Sequence, residues 1–137
     1  MISGNGLSSQ KLWTFNVFID HRKTDVIREW FESCSMPVKA RVKLDTLIRH
    51  LEATPKNQWH PSQFKPLQGY SGIFEIRTTH KNVQYRPLGC FGPKEKQFTL
   101  LIGAIEKDWK FIPRTAPETA VSRCDAIHKG ENLVDEY

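Results

Sequence analysis

The sequence predicts an α+β domain in which an N-terminal helical hairpin and a C-terminal helix pack on a small, mainly antiparallel four-stranded sheet. Three observations carry that expectation. One alternating stretch is followed by two segments with apolar residues at helical spacing; the middle of the chain holds a hairpin pattern and then a nearly continuous apolar run; and a last helical stripe follows Pro113.

Trp13, Phe15, Val17 and Ile19 alternate with Thr14, Asn16 and Asp20, so residues 11–20 read as a strand. Thr24 can cap a helix that carries Val26, Ile27, Trp30, Phe31 and Cys34 on one side and ends near Ser35 and Met36. Pro37 suits a first helical turn, and Ala40, Leu44, Leu47, Ile48 and Leu51 form the stripe of a second helix, with Lys39, Lys43 and His50 on another face. The short link makes the two helices antiparallel. Residues 54–70, with Pro55, Pro61, Pro66 and Gly69, show no period and read as a long loop. Ile73–Thr78 and Val83–Leu88 form a hairpin about the turn Thr79–Asn82, and Gln97–Ile105 is apolar enough for a strand covered on both faces. Thr115 and Glu118 are spaced as a capping box for a helix with Ala120, Val121, Cys124 and Ile127 on one stripe. Residues 1–10 are expected to be a flexible N-terminus, 11–128 a single domain and 129–137 a loose acidic tail.

At 137 residues and 15.9 kDa the chain is long enough for one core without disulfides or a structural metal. No apolar run approaches the roughly 20 residues of a membrane span, and Met1–Gln10 lacks the features of a secretory leader, so a cytoplasmic protein is expected. Cys34, Cys90 and Cys124 are an odd set without CxxC spacing and read as reduced, packed thiols. The net charge of +5 is uneven: residues 37–110 hold thirteen Lys or Arg against six Asp or Glu. Such a block is what a polyanion-binding face looks like.

Nucleotide-binding, metalloprotease and nucleophile-elbow motifs are missing, and the five histidines are scattered singly, so no metal or cofactor is expected. What remains is the hairpin and the end of the strand after it. With Phe74 and Ile76 on one face, Glu75 and Arg77 share the other; Arg86, beside Tyr85, can be aimed the same way, and Lys107 and Lys110 follow the apolar strand. Cations grouped with a carboxylate suit RNA cleavage through the 2′-hydroxyl, in which a phosphate gains charge in the transition state. Charged residues alternating on an exposed sheet also simply pair across strands. Trp59, Phe64 and Tyr70 in the long loop either stack on bases or pin the loop to the core, and pinning is favoured because so long a loop needs apolar anchors. Lys39, Lys43 and His50 read as a solvated face rather than an RNA-binding stripe.

The run LQGYSGIFEIRTTHKNVQYRPLGCFGPKEKQFTLLIGAIEKDWKFIP, residues 67–113, resembles the RelE/ParE superfamily of type II toxins, above all its HigB-like, phage-derived branch. The carrying features are Leu and Gly before a hydrophobic-Glu-hydrophobic-Arg strand, a Tyr-Arg pair on the next, an apolar strand leading to a Lys, and a Pro before the last helix. With the preceding helices the likeness covers about residues 12–128. It implies a RelE-like fold and a metal-independent, ribosome-dependent mRNA endoribonuclease that inhibits translation and is held by a cognate helix-turn-helix, HigA-like antitoxin. Carried over by position, Arg77, Arg86 and Lys107 match the family's basic site residues, and Glu75 stands where the HigB-like branch usually has Glu. Lys65, Tyr85, Trp109 and Lys110 are the RNA-binding residues implied beside them. One departure stands out: relatives often carry a Tyr or His after the last strand, where this chain offers only Trp109 and the distant Tyr137. The alternatives are a ParE-like topoisomerase-binding toxin and a non-catalytic, phage-derived binding module with the same fold.

Overall fold

The computed structural model describes residues 11–137; the segment 1–10, expected to be flexible, lies outside the described residues. An alternating strand β1 (Thr14–Phe18) leads into two helices, α1 (Val26–Ser33) and α2 (Val38–Glu52), as the sequence pattern requires. The cap of α1 is Asp25 rather than Thr24: its Oδ1 accepts from the amides of Ile27 and Arg28 at 2.9 and 3.0 Å. Val26, Ile27, Trp30 and Phe31 of α1, and Ala40, Leu44, Leu47, Ile48 and Leu51 of α2, are buried in the core.

Strands then follow in short pieces: β2 (Phe64–Pro66), β3 (Phe74–Ile76), β4 (Thr78–His80), β5 (Val83–Tyr85), β6 (Leu88–Phe91), β7 (Gln97–Ile102), β8 (Ile105–Lys107) and β9 (Lys110–Ile112). Helix α3 (Ala116–His128) and β10 (Val134–Glu136) complete the chain. The α+β class and the mainly antiparallel pairing stand, but the expected four-stranded sheet does not. Six strands form one sheet in the order β10-β1-β7-β6-β3-β2, and four form another in the order β4-β5-β8-β9. The pair β1–β7 is parallel, with Phe15 opposite Phe98 and Val17 opposite Leu100; the other pairs are antiparallel.

The difference arises because each long apolar run bends and passes from one sheet into the other. Arg77 alone separates β3 from β4, Arg86 and Pro87 separate β5 from β6, and Gly103 and Ala104 separate β7 from β8. Backbone bonds continue through the bend, from Ile76 N to Pro87 O at 3.0 Å and from Arg86 N to Ala104 O at 2.8 Å. Pro87 has no amide to donate to a ladder. Gly103 is required there, since a Cβ would fall 1.9 Å from a ring carbon of Trp30.

Residues 54–70, which include the short strand β2, are pinned to the core at a few aromatic positions. Trp59 is buried, its Nε1 donating to the carbonyls of Leu51 and Thr54, and its ring lies among Trp13, Phe15, Phe64, Phe91 and Phe98. Phe64 stacks on Phe74 with centroids 4.9 Å apart. The loop aromatics therefore anchor, as favoured from the sequence. Thr115 makes no side-chain cap bond, and Glu118 accepts instead from the Tyr70 hydroxyl, so no capping box forms. The acidic tail is not loose: β10 pairs with β1, and Tyr137, half-buried, donates its hydroxyl to Asp45 of α2.

Candidate functional site

The shared bend of the three strands decides where the charged side chains go. Period-two alternation puts Phe74 and Ile76 inward, so Glu75 and Arg77 fall together; Arg86 enters from the second bend and Glu106 from β8, next to it. Arg77 Nε lies 3.4 Å from Glu75 Oε1. Arg86 Nε faces Glu75 at 3.8 Å and Glu106 at 3.3 Å, without a well-aligned hydrogen bond to either. Lys65 stands opposite Glu75 in the β2–β3 register.

Arg86 is only 4% exposed, and protein acceptors surround its guanidinium. Nη1 donates to the carbonyls of Thr78 (2.8 Å) and Tyr85 (3.0 Å), and Nη2 to Gln84 Oε1 (2.7 Å). Burial pulls its pKa down, helped by Arg77 and opposed by the two carboxylates. Burial likewise pushes Glu75 above the ordinary carboxylate range; Arg77 opposes the rise and Glu106 adds to it. The cluster thus couples a buried cation to two carboxylates.

Arg77 is more exposed and borders two openings. One, a groove of about 530 Å³ beside α2, is lined by Lys43, His50, Gln63 and Thr79 among others. The second, about 390 Å³, is lined by Arg77, Gln84, Glu106, Asp108 and Trp109. Trp109 is 94% exposed at the tip of the β8–β9 hairpin, where Asp108 and Trp109 both have φ above zero, 52° and 66°. Those angles fit a two-residue turn of the type that matches strand twist, usually made by Asn-Gly. Lys107 and Lys110 flank the tip directly opposite each other and are exposed.

Glu75, Arg77 and Arg86 therefore come together as the strand pattern indicated, and Lys65, read from the sequence as a loop residue, lies opposite Glu75 on β2. Lys107 and Lys110 do not join them: alternation turns Lys107 to the other face of β8 from Glu106. Tyr85, expected at the RNA surface, is buried, with its ring 6.2 Å from that of Trp30, because its side chain points from β5 into the core. Lys39 is exposed, as a solvated face requires, whereas Lys43 and His50 wall the groove and the Lys43 ammonium donates to the Thr79 carbonyl. Glu106, Gln84 and Asp108 were not singled out from the sequence. The available signal was Glu106 itself, one residue before the chosen Lys107 and on the opposite face.

A second grouping was also missed. His128 is not isolated, and Cys90 and Cys124 are not merely packed: their ligand atoms all lie within 4.8 Å of one another. Compared with protein-family models, with curated proteins and with solved structures, the chain matches none of them.

Proposed function

We propose that this chain is the toxin of a type II toxin–antitoxin pair, with a RelE-like fold, acting in the cytoplasm as a ribosome-dependent endoribonuclease on mRNA. The observation that carries the reading is the opening of about 390 Å³ in which Arg77, Glu106 and the exposed Trp109 meet. Trp109 stacks on a base of the single-stranded message. Arg77 neutralises the non-bridging oxygens of the scissile phosphate, and Glu106, oriented by Arg86, accepts the proton of the 2′-hydroxyl. The 2′-oxygen attacks the adjacent phosphorus as its bond to the 5′-oxygen breaks, and the leaving oxygen takes a proton from solvent water, giving a 2′,3′-cyclic phosphate and a 5′-hydroxyl. Arg86 acts as a positioning residue and Glu75 tunes the pair, while Lys107 and Lys110 draw RNA toward the tip. A cognate antitoxin of helix-turn-helix, HigA-like type would present acidic side chains to Arg77, Lys107 and Lys110 around this opening.

One observation favours a second reading, a binding module without catalysis: buried Arg86 and its carboxylates also make a self-sufficient structural junction. Purified ribosomes programmed with a defined mRNA separate the two. Cleavage with cyclic-phosphate ends is expected, falling on the order of 100-fold or more in Arg77→Ala and Glu106→Gln while both still bind. Full cleavage by both variants, or 3′-hydroxyl ends, overturns the mechanism. Binding with no cleavage by the wild type supports the module, and arrest with altered DNA supercoiling during continued translation supports a ParE-like target.

A further inference from the structure

The grouping of Cys90, Cys124 and His128 lies apart from the charge cluster and owes nothing to the reading above. Cys124 and His128 are four residues apart on α3 and so share one face of the helix, one turn apart. Cys90 is the third residue of β6, a strand against which α3 packs, and it is 1% exposed. Two soft sulfur donors and an imidazole are thus delivered by a helix and a rigid interior strand, the arrangement that metal sites require. The spacing is quantitative. A tetrahedral zinc with Zn–S near ~2.3 Å and Zn–N near ~2.05 Å sets its S···N edge at about 3.6 Å. Cys124 Sγ and His128 Nδ1 are 3.5 Å apart.

The backbone also makes room for the imidazole. Gly92 has φ +113°, and a Cβ there would fall 2.5 Å from His128 Nε2, so a side chain at this position would push the ring out of the site. Nδ1 is 2.8 Å from the Cys124 carbonyl, which can only accept, so without a metal that nitrogen carries the proton. A metal would replace this proton and those of the two thiols.

We propose that Cys90, Cys124 and His128 form a binding site for one thiophilic divalent cation, zinc above all. Three protein ligands leave a fourth position for water or a ligand from outside, on the exposed side next to His128. Through its three protein ligands the cation would clamp the C-terminal turn of α3 to β6.

The test uses the full chain with its thiols reduced. Titration with Zn²⁺ alone should reach one bound ion per chain and raise the unfolding temperature as free zinc increases. Co²⁺ alone should give thiolate-to-metal charge-transfer absorption in the near ultraviolet together with the visible bands of tetrahedral cobalt. Cys124→Ser and His128→Gln should each weaken binding on the order of 10-fold or more, whereas Cys34→Ser should leave it unchanged. The wild-type cobalt spectrum does not depend on whether any variant folds. Cobalt bound without thiolate charge transfer, retention of full affinity in Cys124→Ser, or a Cys90–Cys124 disulfide whose reduced form takes up no metal would each overturn the site.

Discussion

Arg77 and Arg86 occupy neighbouring bends, yet their removal should read out in opposite assays. Arg86→Met leaves buried Glu75 and half-buried Glu106 beside each other with one cation fewer, and should cost about 3–5 kcal/mol in urea unfolding. Arg77→Ala, at a partly exposed position, should change stability by no more than about 1 kcal/mol while suppressing cleavage. Asp20 offers a pH test at the same scale. Burial pushes its carboxylate up, but the Thr24 amide (3.0 Å) and the Arg22 guanidinium (2.8 Å) outweigh that and hold it below its ordinary 3.8. A lowered carboxylate stabilises the fold above the unfolded-state pKa, and the benefit disappears as pH falls through the folded-state value. Asp20→Asn keeps the acceptor for Thr24 and loses the charge. The wild type should therefore have the higher urea midpoint at neutral pH, and the gap should close below about pH 4.

Among the elements, the β8–β9 hairpin is the most exposed part of the proposed site. Trp109 holds a left-handed backbone conformation that glycine adopts without cost, and its side chain contributes almost no burial. Trp109→Gly should therefore leave stability equal or slightly higher, and should weaken single-stranded RNA binding by about 1–3 kcal/mol if a base stacks there. Fluorescence anisotropy and thermal unfolding on the same samples separate the two effects. This hairpin also shows why strands escaped the sequence reading. Its turn is Asp108-Trp109, with none of the glycine or asparagine that announces such a turn, and its arms are three residues each. The pieces β2 and β10 are equally short, and period two cannot be recognised over three residues. The helices were legible because their stripes run through eight to fifteen residues.

At the scale of the whole molecule, the candidate site was half legible for a related reason. Glu75 and Arg77 follow from alternation within one strand, and Arg86 from its hairpin partner, so local pattern brought them together. Glu106 joins only because three strands bend at one level, and that depends on Pro87 and on Gly103 meeting Trp30, a contact between residues 73 apart in sequence. Cys90 and His128 are likewise brought together by the packing of α3 on β6, which no spacing encodes.

Strand β1 carries a further implication, for the order in which the protein can come into being. Its two neighbours are β7 and β10, residues 97–102 and 134–136, so the first strand synthesised waits for much later ones to find a place. Contacts this distant along the chain close late and slowly. A growing polypeptide that ends at residue 96 has β1 with no partner on either side and lacks Glu106 and Trp109 altogether. Such a fragment should show no cooperative unfolding transition and should be digested rapidly by a protease to which the full chain is resistant; a cooperative transition would contradict this. On the proposed function, the nascent chain would thereby be kept from attacking the message that encodes it, since the opening between Arg77 and Trp109 does not exist until translation has moved well beyond both.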